Sequence, residues 1–381
     1  MKKKIFYWSP CLNPVGTIKS TLNSAMSLKR YNKNYDVYMI NVCGEWKNYE
    51  DTLKKNSINF INLNFSYYRF LPKTGFFLSR FSYMIIFLLS FLPLLNLIRS
   101  QKPNIFFLHL ITSLPLTILK FFNFKTEFIL RISGYPKMTI FRKILWKSIS
   151  SKIKLVTCPT FDLKKELDRS GIFGKEKLFF LPDAIIDITK VRNKNEFIDN
   201  ELPKNKKIIL SAGRLTKQKN YEFLINEFAE FSKTNDQFIL VILGEGEEKN
   251  NLLKLVENKG IEKKVFLLGY KKNIYDYMRA GNVFILSSLW EEVGFVIVEA
   301  ALCNSFVVSS NCPNGPREFL DNGKRGILFE SNKKSALNES LKNFSKMEKN
   351  KIFQKKVKLK KEAKKYTIFR HYLELEKILK N

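Results

Sequence analysis

The amino-acid sequence predicts an α/β protein of two domains, each built around a parallel β-sheet. A chain of 381 residues is long for a single hydrophobic core, and its 45% hydrophobic and 27% charged content is typical of a globular protein. Short apolar runs alternate with amphipathic helical patterns in both halves, which is the order of β–α–β units. The polar, irregular segment Leu181–Lys207 has a proline near each end and separates the halves. We therefore predict an N-terminal domain over 1–185, a linker over 186–205 and a C-terminal domain over 206–365.

The first domain is predicted to begin with a strand, a loop and a helix. Ile5–Trp8 is a short apolar run, and Thr17–Tyr31 carries apolar residues at helical spacing. The same reasoning predicts further strands at Tyr35–Val42, Phe60–Phe65, Asn104–Leu108 and Phe128–Ile132. Helical patterns separate these strands, and because such crossovers are right-handed, the sheet is expected to be parallel.

The second domain continues the alternation of strands and helices. Its predicted strands are Ile208–Ala212, Phe238–Leu243, Val265–Leu268 and Val283–Ser287. Its predicted helices are Tyr221–Thr234, Glu248–Lys259 and Ile274–Ala280. The Lys-rich stretch 351–365 indicates an exposed helix, and Tyr366–Leu379 indicates a last helix. A second doubly wound sheet is therefore expected.

One segment of the first domain is long and uncharged. Phe81–Ile98 runs for eighteen residues without a charge, which is long enough to cross a bilayer. Three interpretations are open: a transmembrane span, a helix buried in the domain core, and a helix lying in the membrane interface. The surrounding window, 69–154, contains fourteen Lys or Arg and one acid, Glu127. Basic and apolar side chains alternate over 141–147, which favours the interfacial helix and predicts contact with an anionic membrane surface.

The chain as a whole is strongly basic. With 66 Lys+Arg and 35 Asp+Glu, its net charge of +31 attracts nucleic acids, anionic membranes and phosphorylated small molecules. No helix-turn-helix, zinc-finger or aromatic RNA-binding motif supports a nucleic-acid partner, so none is expected. The five cysteines lack a Cys-x-x-Cys pair and there are only two histidines, which predicts neither a disulfide framework nor a zinc site. The apolar stretch at the start is too short for a signal peptide, so a cytosolic-side protein is expected.

A cluster of basic residues follows the predicted strand Ile208–Ala212, where a helix is about to begin. Gly213 permits close approach of the backbone, and Arg214 and Lys219 lie five residues apart across the turn. In open parallel sheets, ligands bind beyond the carboxyl ends of the strands, where a helix N-terminus favours an anion. Two cations there can neutralise one diphosphate, arginine through its fork and lysine as a point charge. Taken alone, such a loop is equally consistent with a solvated basic surface.

Glu291 and Glu299 form a second constellation, eight residues apart between a strand and the next helix. Between them, Val293, Gly294 and Phe295 place successive backbone N–H groups at a helix start, where they can bind an anion. A carboxylate in the loop can accept hydrogen bonds from sugar hydroxyls, and one inside the helix can accept from a ribose diol. The segment therefore combines an anion-binding backbone with two acceptors for hydroxyl groups.

These motifs resemble those of the retaining, nucleotide-sugar-dependent glycosyltransferases of family four, which have the GT-B fold. The matching motifs are Gly-Arg-Leu-x-x-x-Lys at 213–219 and Glu-x7-Glu at 291–299, and the run 309–318 is similar to the family's strand, Gly-Pro turn and helix. The resemblance covers 206–330 closely and the rest loosely. It implies two Rossmann-like doubly wound parallel-sheet domains facing a central cleft. The first domain would bind the acceptor, the second would bind the nucleotide sugar, and helix 366–381 would pack back on the first.

The resemblance also implies roles for individual residues. Arg214 and Lys219 would neutralise the donor diphosphate as the glycosidic bond breaks, without a metal ion, and the chain has no Asp-x-Asp motif. Glu291 would hold the donor sugar and Glu299 the ribose. The other implied donor-binding positions are Gly16, Gly213, Gly244, Tyr270, Val293, Gly294 and Phe295, of which Tyr270 is equally consistent with a packing role. No cofactor is expected beyond the nucleotide-sugar substrate.

The first domain departs from the family pattern in two places. Its first loop reads Pro14-Val15-Gly16 where many family members have a glycine pair, so Gly16 alone retains the close backbone approach. Ser133 stands where family members often have a histidine, so Ser133, Arg131 or another group would take over its catalytic role, or that role would be dispensable. His109, at the end of the preceding strand, is either a catalytic-site residue or a structural histidine.

The implied function is transfer of a sugar, with retention of configuration, from a nucleotide sugar to a lipid-linked or membrane-proximal glycan. The expected pathway is the synthesis of bacterial surface polysaccharide, namely capsule, O-antigen or lipopolysaccharide. The protein is expected in the cytoplasm, bound peripherally to the inner face of the cytoplasmic membrane through 69–154. The alternative is a nucleotide-sugar epimerase or a glycan phosphorylase on the same scaffold.

Overall fold

The computed structural model describes residues 2–12, 16–72, 76–192 and 202–380. The chain forms two compact units. The first consists of Met1–Ile185 together with Ile368–Asn381, and the second of Ile186–Thr367. Each unit contains one parallel sheet whose successive strands are connected through helices, which confirms the predicted pair of Rossmann-like α/β domains.

Seven strands form the sheet of the first unit. In chain order they are β1 (Lys3–Trp8), β2 (Tyr35–Asn41), β3 (Asn59–Asn62), β4 (Ile105–Leu108), β5 (Glu127–Arg131), β6 (Ile153–Cys158) and β7 (Leu178–Phe180). Their spatial order is β3-β2-β1-β4-β5-β6-β7, and all neighbours are parallel. The order reverses between β1 and β4, so the loops that follow these two strands diverge and leave a crevice at the carboxyl edge.

The helices of the first unit cover both faces of its sheet. They are α1 (Gly16–Tyr31), α2 (Glu50–Lys55), α3 (Phe76–Gln101), α4 (Ser113–Phe121), α5 (Ile140–Ile149), α6 (Phe161–Arg169) and the last helix of the chain, α15 (Ile368–Lys380). Side chains of β1 alternate between the two faces. Phe6 and Trp8 join a core cluster that includes residues of α3, α4 and α5, whereas Ile5 and Tyr7 join a second cluster with residues of α1 and α15.

Helix α3 has one buried apolar face and one exposed apolar face. Ile86, Leu94 and Ile98 are buried in the core cluster on that side of the sheet. A separate set of exposed apolar residues recurs at helical spacing and is called the α3 stripe here: Phe77, Phe81, Met84, Leu88 and Leu92. Among the described residues, α3 is the one helix long and apolar enough to span a membrane, and a third of its apolar window is buried. Both strands flanking α3, β3 and β4, belong to the same sheet.

Helix α15 packs against α1 within the first unit. Leu375 and Ile378 lie in the same core cluster as the apolar residues of α1. His371 Nδ1 lies 2.7 Å from the carbonyl oxygen of Pro182 and donates to it, because a carbonyl only accepts. His371 Nε2 therefore accepts a hydrogen bond from Ser24 Oγ, at 2.9 Å. Burial lowers the pKa of His371 to about 4, against the opposing effect of the bond to Pro182.

Six strands form the sheet of the second unit. They are β8 (Lys207–Ala212), β9 (Phe238–Leu243), β10 (Val265–Leu267), β11 (Val283–Leu286), β12 (Phe306–Ser310) and β13 (Ile327–Phe329). Their spatial order is β10-β9-β8-β11-β12-β13, again with parallel neighbours throughout. The helices of this unit are α7 (Ile188–Arg192), α8 (Tyr221–Ser232), α9 (Lys249–Asn258), α10 (Ile274–Ala280), α11 (Phe295–Leu302), α12 (Gly315–Phe319), α13 (Ala336–Ser345) and α14 (Lys349–Ala363).

Several strands differ from the sequence-based expectation. In the second sheet, β12 and β13 were not among the predicted strands. The structure adds β6 and β7 to the first sheet, although neither was predicted from the apolar pattern. Lys154 interrupts the apolar run of β6, and β7 has only three residues. The strand predicted at Phe60–Phe65 ends earlier, at Asn62.

The segment between the two sheets is more ordered than its polar composition indicates. Residues 181–187 are all buried, and Asp183 forms an ion pair with Arg131 at 2.7 Å between Arg131 Nη2 and Asp183 Oδ1. Of the segment 186–205 predicted as a linker, Ile186 bridges to Thr367 within the second unit and α7 begins at Ile188. Residues 193–201 of that segment lie outside the described residues.

Candidate active site

Both sequence motifs of the second unit lie where the strand order of its sheet reverses. Strand β8 pairs with β9 on one side and with β11 on the other. The loop 213–220 follows β8, and the loop 287–294 follows β11. In open parallel sheets, this point at the carboxyl edge is where ligands bind. The two motifs, distant in sequence, are therefore adjacent in the fold.

A largely buried ion pair joins the two loops. Lys219 Nζ contacts Glu291 Oε1, and the two side chains are 14% and 10% exposed. Ser288 Oγ donates a hydrogen bond of 2.7 Å to the same carboxylate oxygen. Because the carboxylate has two acceptors with well-defined directions, it fixes the position of the lysine ammonium group at the switch point. The structure thus brings together one predicted cation and one predicted acid.

Backbone hydrogen bonds reinforce the contact between the loops. Ser287 Oγ donates to the Lys219 carbonyl at 2.7 Å. The Leu289 N–H donates to the Gln218 carbonyl at 2.8 Å, and Gln218 Nε2 returns a bond of 2.9 Å to the Trp290 carbonyl. These bonds to main-chain carbonyls hold the loop that carries Lys219 against the loop that carries Glu291.

Glycines allow the backbone turns after β8, β9 and β10 to approach one another closely. The Gly213 N–H donates to the Leu243 carbonyl at 2.9 Å, and the Gly244 N–H donates to the Gly269 carbonyl at 2.8 Å. A Cβ at Gly244 would lie 1.8 Å from the Gly213 carbonyl oxygen, and φ at Gly244 is +145°, so the position requires glycine. A Cβ at Gly213 would meet the Lys219 side chain at 3.2 Å. The stem of Lys219 therefore lies directly over Gly213.

Arg214 and Tyr270 extend from the same edge of the sheet into solvent. Arg214 is exposed, and its side chain makes no hydrogen bond or ion pair with the part of the chain that the structure describes. Its guanidinium therefore has all its donors available to an anion, whereas Lys219 is already paired. Tyr270 is 73% exposed, which does not favour the packing role.

Helix α11 carries the second acid of the motif. Glu299 is buried and accepts a hydrogen bond of 3.2 Å from Tyr275 Oη. Burial, followed by the charge of Glu299, raises the pKa of Tyr275, so the phenol keeps the proton that it donates. Gly294 precedes the helix with φ +75°, a conformation that glycine favours, and Phe295 begins it. Val293, just before this turn, is buried.

A separate group of predicted residues lines a cavity in the first unit. His109, Ser133 and Arg131 border a space of about 460 Å³ together with Thr17, which follows the predicted residue Gly16. The Ser133 hydroxyl oxygen is buried and has no hydrogen-bond partner among the described residues. Gly16 itself is exposed at the start of α1, and the preceding residues 13–15 lie outside the described part.

His109 and Arg131, which both line this cavity, are buried and have hydrogen-bond partners. His109 is buried with Nδ1 3.1 Å from Thr21 Oγ1. Burial, with the nearby charge of Arg131 as the second cause, lowers the pKa of His109 well below its ordinary value. His109 is therefore a neutral imidazole near pH 7. Arg131, by contrast, is committed to Asp183 and to the Leu181 carbonyl at 2.7 and 2.8 Å.

Metal ligation has little support in the described residues. Across 2–12, 16–72, 76–192 and 202–380, no group of three or more His, Cys, Asp or Glu side chains is arranged to hold a metal ion. The five cysteines are buried and carry no disulfide bond in this part of the chain.

The sequence motifs did not include two residues that position the predicted acids. Ser288 donates to Glu291, and Tyr275 donates to Glu299. Ser288 lies three residues before Glu291 in the loop after β11, so its position was a usable signal. Tyr275 lies on α10, and no local pattern connects it to Glu299.

Known proteins match this chain in both sequence and fold. Residues 192–366, just under half of the chain, match the family model described as Glycosyl transferases group 1. An uncharacterized glycosyltransferase of Methanocaldococcus jannaschii is 30% identical over 245 residues, which is 60% of either chain. The Campylobacter jejuni N-acetylgalactosamine-N,N'-diacetylbacillosaminyl-diphospho-undecaprenol 4-alpha-N-acetylgalactosaminyltransferase is 36% identical over 173 residues, or 42% of this chain and 47% of that protein.

The fold of the whole chain also occurs in a solved glycosyltransferase structure. Anabaena HepE in complex with UDP has a TM-score of 0.74 at 15% identity, and the match covers 100% of both chains. The two parallel-sheet α/β units have the GT-B fold, as the sequence predicted. The chain spans 60% and 47% of the lengths of the two relatives above. Family match and fold together support a transferase enzyme of the glycosyltransferase class.

Proposed function

We propose that this protein is a retaining glycosyltransferase that moves a sugar from a nucleotide-sugar donor to a lipid-linked or membrane-proximal glycan. The observation that carries the proposal is the Lys219–Glu291 pair, which joins the loops after β8 and β11 at the switch point of the second sheet. This pair lies inside the segment that matches the glycosyl transferase family. The matches give no support to an epimerase or a phosphorylase.

The residues of this site suit departure of a nucleoside diphosphate. Arg214, with its exposed guanidinium, and Lys219 would stabilise the negative charge that develops as the anomeric carbon–oxygen bond breaks. Backbone N–H groups at the start of α11 would bind the phosphate oxygens, since the first turn of a helix leaves such groups unpaired. Glu291 would accept hydrogen bonds from the donor sugar and Glu299 from the ribose.

The chemical balance of the transfer is simple. The anomeric carbon loses its bond to the diphosphate oxygen and gains a bond to an acceptor hydroxyl oxygen on the same face. The hydroxyl proton passes to the departing diphosphate oxygen, and no redox change occurs. No metal ion and no further cofactor enter the proposed step.

Substitution of the paired and unpaired charges tests this site. Lys219→Ala and Glu299→Ala should abolish transfer of radiolabelled sugar while circular dichroism shows a folded protein. Lys217→Ala and Glu292→Gln are matched controls, because these neighbours carry the same charges and lie outside the proposed site. Turnover by Lys219→Ala and Glu299→Ala equal to that of the controls would refute the assignment.

The proposed acceptor class is a lipid-linked glycan in the synthesis of bacterial surface polysaccharide. The name of the Campylobacter relative describes transfer to a diphospho-undecaprenol-linked sugar. This supports, for the present chain, an acceptor of similar type. Assay of a nucleotide-sugar panel, beginning with UDP-sugars, against short lipid-diphosphate glycans would identify donor and acceptor together.

The first unit has a surface suited to an anionic membrane, and we propose a peripheral location at the inner face of the cytoplasmic membrane. The α3 stripe is exposed, and α5 exposes Ile140, Phe141 and Ile144 beside Lys143 and Lys147. Apolar side chains flanked by lysines on one surface match the boundary between headgroups and acyl chains. Because the other face of α3 is packed in the core cluster, and the helix connects two strands of one sheet, we favour the interfacial position over a span.

Vesicle sedimentation tests the location. The protein should pellet with phosphatidylglycerol-containing vesicles, and binding should fall steeply as salt rises, since each basic group near the surface contributes about 1 kcal/mol. Phe81→Ser with Leu88→Ser should weaken pelleting, whereas Leu253→Ser, an exposed leucine of α9, should not. Equal pelleting with neutral vesicles at high salt would refute electrostatic docking and indicate insertion.

A further inference from the structure

Two cavities of the first unit share a wall. The larger, of about 850 Å³, lies among α3, α5 and the loops after β1 and β4. The smaller, of about 460 Å³, contains His109 and Ser133. Arg80, Arg142, Trp146 and residues 110–112 line both. A single extended ligand that occupies both spaces would therefore contact the two arginines.

The described lining of both cavities is cationic. The larger contains Arg80 and Arg142, and the smaller adds Arg131 and Lys137. Neither described lining includes an aspartate or a glutamate. Arg131 is already neutralised by its buried ion pair with Asp183. The remaining basic residues of the lining are Arg80, Arg142 and Lys137.

Arg142 is held in position before any ligand arrives. Its backbone N–H is capped by Thr139 Oγ1 at 3.3 Å, and its Nη1 donates to the Lys137 carbonyl at 2.5 Å. Its guanidinium also lies over the Trp146 ring, 5.8 Å from the centroid. A guanidinium has five N–H donors, so this arrangement leaves others for a phosphate. Burial and the charge of Arg80 lower the pKa of Arg142, which indicates that the two cations are close enough to repel.

The ends of the combined space differ in polarity. Tyr83 and Phe141 line the larger cavity and are 42% and 86% exposed, next to the α3 stripe. The smaller cavity offers the neutral imidazole of His109 and the Ser133 hydroxyl, which lacks a partner among the described residues. One end therefore suits a hydrocarbon chain and the other suits hydroxyl groups, with the arginines between them.

We propose that Arg80 and Arg142 bind the phosphate groups of a lipid-diphosphate acceptor. Its hydrocarbon leaves the larger cavity over Tyr83 and Phe141, and its sugar lies beside His109 and Ser133. This inference rests on the proposed transferase function and names the part of the acceptor that the first unit recognises. The phosphate chemistry is shared by membrane phospholipids and free diphosphate, and the experiment separates these sources.

Direct binding distinguishes the three sources. Calorimetric titration with farnesyl diphosphate, farnesol, inorganic pyrophosphate and phosphatidylglycerol vesicles compares phosphate and hydrocarbon together and apart. Farnesyl diphosphate should bind at least about tenfold more tightly than farnesol or pyrophosphate, because only it engages both the arginines and the apolar mouth. Equal affinity for pyrophosphate would overturn the lipid part of the proposal. Loss of phosphatidylglycerol binding alone in the arginine variants would indicate a membrane contact and overturn the acceptor site.

Paired variants complete the test. Arg80→Gln with Arg142→Gln should weaken farnesyl diphosphate binding and raise KM for a lipid-diphosphate acceptor by about tenfold or more, with kcat changed much less. Lys165→Gln with Arg169→Gln removes the same charge from α6, outside both cavities, and should leave these values unchanged. Thermal stabilisation by nucleoside diphosphate should persist in both double variants, which verifies a folded second unit.

The outcomes separate this inference from the proposed function. Unchanged affinity and KM in the Arg80 and Arg142 double variant, with an active wild-type enzyme, would overturn the acceptor site and leave the transferase intact. If wild-type protein transfers no sugar to any acceptor but binds farnesyl diphosphate through the arginines, the proposed function fails and the lipid-diphosphate site stands.

Discussion

Removing the ammonium group of Lys219 leaves the Glu291 carboxylate largely buried with one remaining side-chain donor, Ser288. Breaking a buried ion pair from one side costs about 3–5 kcal/mol when no water reaches the remaining charge. The Ser288 bond remains, and a tenth of the Glu291 side chain is exposed, so we expect Lys219→Met to lower the free energy of unfolding by about 3 kcal/mol. Glu291→Gln should cost about 2 kcal/mol, because the amide oxygen still accepts from the lysine.

A double-mutant cycle measures the coupling between these two side chains. The double variant removes both charges, so its loss of stability should be smaller than the sum of the two single losses by about 2 kcal/mol. Urea unfolding followed by circular dichroism gives the free energies. The exposed pair Lys233–Glu230, with side chains 67% and 54% exposed, provides the control cycle within the same unit.

The control pair should show little or no coupling, since exposed ion pairs contribute little to stability. A coupling for Lys219 and Glu291 no larger than that of the control would refute the reasoning. It would mean that the two loops are not held together by charge at the switch point. The catalytic assignment of Lys219 would then lose its structural basis.

Three further predictions concern stability and loop geometry. Because burial lowers the pKa of His371 to about 4, the contribution of the neutral histidine to the free energy of unfolding should be fully present above about pH 6.5. About 3 kcal/mol of the free energy of unfolding should be lost as the pH falls to 4. Urea unfolding of His371→Gln over this pH range should show a flatter decline. Gly244→Ala, with its Cβ 1.8 Å from the Gly213 carbonyl, should abolish the thermal shift caused by nucleoside diphosphate, whereas Gly260→Ala, with no atom within 4 Å, should retain it. Glu227→Gln should lower the melting temperature by weakening two carboxylate hydrogen bonds to backbone N–H groups at the start of α13, at about 1 kcal/mol; an unchanged melting temperature would contradict this capping role.

Local patterns predicted most of the fold because they depend on spacing along the chain. The apolar runs at β1, β4 and β5 and the helical pattern of α1 are recognisable within a few residues. Strand β7 was not predicted because three residues are too few to establish a period. Strand β6 was not predicted because Lys154 interrupts its apolar run, although the strand pairs with β5, with a register shift between Phe128 and Ile129.

The candidate site was predicted only in part, because the sequence motifs are also local patterns. The two motifs identified Lys219 and Glu291 by residue type and spacing within each loop. Their contact joins residues 72 positions apart, so no local pattern could reveal it. Ser133 and Arg131 were named as alternatives for one role and His109 as a separate candidate, and the structure places all three on the same cavity.

The sequence by itself determined that this chain forms two parallel α/β units with basic and acidic motifs at strand ends, because strand and helix periods are local properties. The tertiary structure decided which of these groups meet. The strand order β9-β8-β11 brings Lys219 to Glu291, and the packing of one face of α3 into the core leaves its other apolar face uncovered. Burial likewise made Asp183 an ion-pair partner in a segment whose composition is that of a linker. Such outcomes depend on which distant segments become neighbours, and that is a property of the folded chain alone.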